Sequence, residues 1–145
     1  MERLLEEKRL WIVEQGLRQV PRLCLDPSMV SESEARTGAR ELISALAEEE
    51  AERIGVEYGR ICIGGQRTLW GSCSPGGTLS FNWRLVLAPP EVLDYVVVHE
   101  LCHLRVPNHS RRFWALVERH RPHWRQQRHW LRDYGPELLA LRPNA

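Results

Sequence analysis

At 145 residues, with 43% hydrophobic and 27% charged residues and a net charge of +1, the chain fits one soluble globular domain with one core. Its longest apolar runs, such as YVVV, are far too short to cross a membrane. The N-terminus MERLLEEKRLWI is charged from its second residue and lacks the apolar core of a signal peptide, which predicts a cytoplasmic location.

The helix signal comes first. ERLLEEKRLWIVEQGLRQV repeats apolar residues at Leu4/Leu5 and Trp11/Ile12 and stops at Pro21. PRLCLDPSMV is a connector. Ser31 or Ser33 can cap the next helix, ESEARTGARELISALAEEEAERIG, which has Glu34 in its first turn. Ala39, Leu42, Ile43, Leu46 and Ala47 form its apolar stripe, and Gly55 ends it. The texture then changes. VEYGRICIG and TLSFNWRLVLA are β-branched and aromatic, and CSPGGTLS between Trp70 and Phe81 reads as a hairpin turn.

Residues 56–88 are therefore expected to form a small, mainly antiparallel sheet of two to four strands. Pro89 and Pro90 suit a helix start, because proline lacks the N–H that a first turn cannot use. EVLDYVVVHELCHLRV follows, apolar on most sides and so central, with Pro107 stopping it near residues 104–106. SRRFWALVERHR is the next helix, with Phe113, Leu116, Val117 and His120 on one stripe. Pro122 interrupts it, and HWRQQRHWLRDY is a last helix closed by Gly135-Pro136. The expected class is α+β. Residues 1–145 are read as one domain, with N-terminal helices over 1–55, the sheet over 56–88, and the central and C-terminal helices over 89–145.

Charge and cysteine usage add constraints. Residues 1–58 carry 13 acids and 8 bases, whereas residues 104–145 carry 9 arginines and 3 acids. A solvated helix face is the simplest account; a basic surface for phosphate or acidic peptides is the sharper one. Cys24, Cys62, Cys73 and Cys102 are scattered with no CxxC pair, so reduced thiols are expected.

VVVHELCHLRVPNHSRRFW holds three of the six histidines. His99 and His103 lie at i and i+4 on a helix, so both imidazoles share one face, one turn apart. Two such nitrogens can reach one Zn²⁺. Glu100 lies beside them and can reach a metal-activated water without being a ligand, the HExxH arrangement with glutamate as general base. His109 is a plausible third ligand, because the chain can turn back after Pro107. Leaving two histidines and a glutamate uncompensated in so apolar a helix would be costly, and metal ligation removes that cost. The expected chemistry is peptide-bond hydrolysis without a covalent enzyme intermediate. His120, His123 and His129 read as surface or interhelical residues. The six tryptophans read as core or core edge, with Trp70 and Trp83 as candidate walls of a substrate groove.

WGSCS at 70–74, NWRLVLAPPEVLDYVVVHELCHL at 82–104 and NHSRRFW at 108–114 closely resemble the YgjP-like family of metal-dependent hydrolases, related to the SprT-like zinc proteases. The EKRLWI at 7–12 also looks like that family's helix ahead of the sheet. The resemblance implies a compact minimal zincin, with zinc held by His99, His103 and His109 and Glu100 catalytic. The ligand spacing also looks like that of metzincins. Their glycine is Val106 here, however, and no methionine other than Met1 and Met29 exists to make a Met-turn. Two departures stand out. Leu69 occupies the place of the arginine that usually precedes WGSCS, with Arg67 two positions earlier. Family members commonly begin with an extra β-rich segment ahead of the first helix; this chain starts almost at that helix, so it looks like a minimal or trimmed version.

The sequence thus predicts a zinc metallopeptidase acting on a peptide or protein, with no membrane partner. An edge strand around Thr78–Trp83 or Ile61–Thr68 would pair with extended substrate. The alternative is a binding module in which zinc is structural, with Cys73 or Cys102 as a fourth ligand. Its Arg-rich C-terminal helices would recruit nucleic acid or protein.

Overall fold

The computed structural model describes residues 31–66 and 68–140. The helix expected before Pro21, the connector with Cys24, and Arg67 lie outside the described residues. Within them the order is α1 (Glu32–Ile54), β1 (Arg60–Gly64), β2 (Gly71–Cys73), β3 (Thr78–Asn82), a 3-10 helix (Trp83–Leu87), α2 (Pro90–Cys102), α3 (Arg111–His120) and α4 (Trp124–Leu139). The α+β class holds.

Helix α1 starts where Ser31 accepts a hydrogen bond from the Glu34 N–H at 3.1 Å, so Ser31 rather than Ser33 is the cap. It ends at Gly55, whose φ of 83° suits a residue without Cβ. Ala39, Ile43 and Ala47 are fully buried, and Leu42 and Leu46 are half-buried at the edge of the stripe. These small side chains let α1 pack against both α2 and β1.

The sheet differs from expectation. Its order is β1-β3-β2, with β1 parallel to β3 and only β2 antiparallel to it. The SPGG turn reverses the chain once, between β2 and β3. The connection after β1 carries β2 past the position that β3 then takes, so β1 and β3 run the same way. Local turn chemistry specifies the hairpin but not which strand lies between the others. Strand β3 also ends earlier than the apolar run suggests. The Asn82 side chain accepts from the Arg84 N–H at 3.0 Å and donates to the Leu69 carbonyl at 3.1 Å and to the Gln66 carbonyl. It closes the ladder and opens the 3-10 turn. Trp83–Leu87, read from sequence as strand, is this buried turn.

Helix α2 is the centre. Val92, Leu93, Tyr95, Val96, Val97, Val98, Leu101 and Cys102 are each 4% exposed or less. Each such aliphatic side chain contributes about 1.5–3 kcal/mol on burial. Helices α1, α3 and α4, strand β2 and the 3-10 helix all pack on it. Helix α4 runs through Gly135-Pro136 to Leu139 rather than closing there. Pro136 forfeits one ladder bond, but the segment beyond it buries Leu138. Gly135 sits against Trp70, where a Cβ would lie 3.3 Å from the indole. Its role is close approach, not helix termination.

Two acids sit inside this packing. Glu50, 3% exposed, holds Arg121 at 2.7 Å and Arg53 at 3.0 Å, tying α1 to the chain after α3. Asp94 on α2 is pushed up from 3.8 to about 6, chiefly by burial, with Arg121 opposing and Glu50 reinforcing. The folded state holds this proton more tightly than the unfolded state. Stability is therefore fully present below 3.8 and is lost as pH rises towards about 6. Asp94→Asn removes the loss. By calorimetry the variant should melt a few degrees above wild type at neutral pH, with the gain vanishing in acid.

Candidate active site

His99 lies on the last turn of α2 and His103 is its C-cap residue. The chain turns through Pro107, and Asn108 accepts from the Ser110 N–H at 3.3 Å. Ser110 then caps α3 by accepting from the Phe113 N–H at 3.4 Å. This short, locally braced loop presents His109 to the pair. The three Nε2 atoms stand 3.3 Å (99–103), 3.1 Å (103–109) and 3.4 Å (99–109) apart.

The other ring nitrogens decide what these contacts are. His103 Nδ1 is 3.1 Å from the Val106 carbonyl, which can only accept. Its proton is therefore on Nδ1, and a lone pair is on Nε2. His99 Nδ1 faces the Tyr95 hydroxyl at 3.4 Å, which permits the same tautomer. Burial, reinforced by His103 and His109, pushes His99 down to about 3, so it stays neutral. Lone pairs of His99 and His103 facing each other at 3.3 Å repel unless a cation or a donated proton lies between them. For metal–imidazole bonds of about 2.0–2.1 Å, nitrogens of a tetrahedral site stand about 3.3–3.4 Å apart. The three histidines could hold a metal ion, and their spacing fits that geometry.

Glu100 is 7% exposed, and burial alone pushes it up to about 7. It lines a cleft of about 400 Å³ with the three histidines, Pro107 and residues 71–75. Strand β2 forms the facing wall. Gly71 lies so near Glu100 that a Cβ there would be 3.1 Å from both its Cγ and Oε2. The order β1-β3-β2 leaves β2 as the edge at this cleft. The Thr78–Trp83 region, expected as a possible edge, is central instead, and β1 is the opposite edge, away from the histidines.

The family model for the YgjP-like metallopeptidase domain matches residues 28–134. The chain belongs to this family. Its class is thereby that of a metal-dependent peptidase. The YgjP-like fold is also similar to that in the crystal structure of the metallopeptidase zymogen of Pyrococcus abyssi abylysin. The TM-score is 0.55 at 20% identity, over 71% of this chain and 99% of that one. Comparison with curated proteins returned no match.

Several neighbours of the YgjP-like site carried no recognisable sequence signal. The Phe113 ring stacks on His103 at 4.2 Å and meets His99 and His109 edge-on. Trp114 lies along His109 at 5.9 Å. Both rings belong to NHSRRFW, but helical periodicity assigns Phe113 only to a core stripe. His120, His123 and His129 lie outside the cluster, as expected. Trp83 is 1% exposed and belongs to the core. Trp70 borders a separate cavity of about 150 Å³ that includes Leu69 and Phe81, so neither tryptophan walls the histidine cleft. Cys102 is fully buried; Cys73 lines the cleft but is not part of the histidine group. Leu69, in place of the family arginine, is 50% exposed. No helix among the described residues is long and apolar enough to cross a membrane.

Gly71→Ala should drive Glu100 from its place and lower stability by about 1–3 kcal/mol through overpacking. Gly76→Ala, whose Cβ would meet only the Ser74 hydroxyl at 3.9 Å, is the control with little change. Thermal melts of the two variants make the comparison.

Proposed function

We propose that the chain is a zinc metallopeptidase that cleaves peptide bonds, with residues 1–145 acting as one peptidase domain. The observation that carries this is the convergence of three imidazole nitrogens beside a buried carboxylate that opens on the same cleft. His99, His103 and His109 would hold the metal through Nε2. A zinc ion there would lower the pKa of water to about 7 and polarise the scissile carbonyl.

The chain's own residues supply the rest. The Glu100 carboxylate takes a proton from the attacking water and returns it to the leaving amine. Gly71 leaves it room to face the cleft. The backbone of β2, unpaired on its outer side within the three-stranded sheet, offers hydrogen bonds to an extended peptide. The Val106 carbonyl and Tyr95 hydroxyl orient His103 and His99, and such outer partners commonly affect metal affinity by 10–100-fold.

A purely structural zinc would want a fourth protein ligand. Among the described residues the donor group consists of the three histidines, which favours the catalytic reading.

Glu100→Gln should retain zinc and lose hydrolysis by at least about 100-fold. Undiminished turnover on a peptide library would defeat the mechanism. His109→Ala should lower zinc content after dialysis, read by elemental analysis, and unchanged content would remove His109 from the ligand set.

A further inference from the structure

A second concavity, of about 480 Å³, lies on α4 and is lined by Trp124, Arg125, Arg128, His129 and Arg132. These residues recur at helical spacing, so the cations share one face. Trp124 stacks on Trp114 at 4.3 Å, and Trp114 in turn lies along His109 at 5.9 Å. An aromatic strip thus joins the basic pocket to the histidine centre.

The cations differ in how they are held. Arg125 pairs with Glu118 at 3.1 Å and Arg132 with Asp133 at 3.2 Å. Among the described residues no carboxylate pairs with Arg128, whose guanidinium lies 5.2 Å over the Trp114 ring. That contact holds the cation in place without neutralising it.

The start of α4 points the same way. Its N-terminus has no side-chain cap and no acid in the first turn, and carries Arg125 instead. Cations at the positive end of a helix dipole are unfavourable. An anion in the pocket would relieve both this and the unpaired Arg128.

We infer that this pocket receives an acidic side chain of the peptide substrate. The inference rests on the peptidase reading above and names its substrate class. Steps of 5.2 and 5.9 Å put the Arg128 guanidinium at most about 11 Å from the His109 ring, roughly three residues of extended chain. The acidic residue therefore stands within about three positions of the scissile bond. A polyanion such as nucleic acid draws on many phosphate contacts along a strip. Here two of the three arginines already hold carboxylates, and the single open guanidinium suits one carboxylate.

Two measurements test this. The first is fluorescence anisotropy with zinc-loaded protein carrying Glu100→Gln. The probes are a labelled glutamate-containing peptide, its glutamine counterpart, and a single-stranded oligonucleotide of equal charge. The acidic peptide should bind ~10-fold more tightly than the glutamine peptide, and Arg128→Ala should reduce that ratio to about 2 or less. Equal binding of the two peptides, an unchanged ratio in the variant, or tighter binding of the oligonucleotide overturns the inference. The second is digestion of a peptide library by the zinc-loaded wild type, read by mass spectrometry. Acidic residues enriched near the cut bond support the pocket. Cleavage without that enrichment overturns the pocket and leaves the peptidase reading intact. An absence of cleavage sinks the peptidase reading, and the binding ratio then decides the pocket by itself.

Discussion

Helix α2 must be covered on almost every side. Its run from Val92 to Cys102 is apolar around most of its circumference, broken by Asp94 beside Arg121 and Glu50 and by the strip bearing His99 and Glu100, which His103 continues at the C-cap. The other elements can be understood as answers to that demand. Helix α1 covers one flank with alanines and Ile43, α3 and α4 close the opposite side, and the 3-10 helix and β2 complete the enclosure. The polar strip is left to face the one gap, and that gap is the cleft.

Burial and chemistry are coupled by this arrangement. Burial keeps His99 neutral and lowers His103 in the same direction, and a metal ligand must be neutral. Burial also raises Glu100. Gly71 completes the fit from the other wall, because any side chain there would occupy the space of the carboxylate. The WGSC segment and the HELCH segment are 28 residues apart from Gly71 to His99 in sequence, yet they meet as two walls of one site.

The charge asymmetry of the chain also takes a physical form. Arginines that look in sequence like a solvated face are divided in the fold. Arg121 enters a buried pair with Glu50, Arg105 donates to the Ile54 carbonyl at 3.2 Å, and Arg128 rides on Trp114 beside the site. Identical residue types thus take up packing, helix termination and a proposed substrate contact. Which role each has depends on what lies opposite, and sequence spacing does not report that.

The sequence by itself determined the features that depend on local spacing. His99 and His103 share a face because they are four residues apart on a helix, Gly55 ends α1 and a serine at 31 or 33 caps its start, and Pro90 opens α2. The tertiary structure decided whatever depends on distant pairing. It placed β3 between β1 and β2, turned Trp83–Leu87 into a 3-10 helix through the Asn82 side chain, and carried α4 past Pro136 because Gly135 and Leu138 pack well. It also brought Phe113, Trp114 and Gly71 to the histidines. Periodicity reports which face of an element is apolar. It does not report which distant backbone will come within 3–4 Å of that face, and at this site such approaches set the geometry.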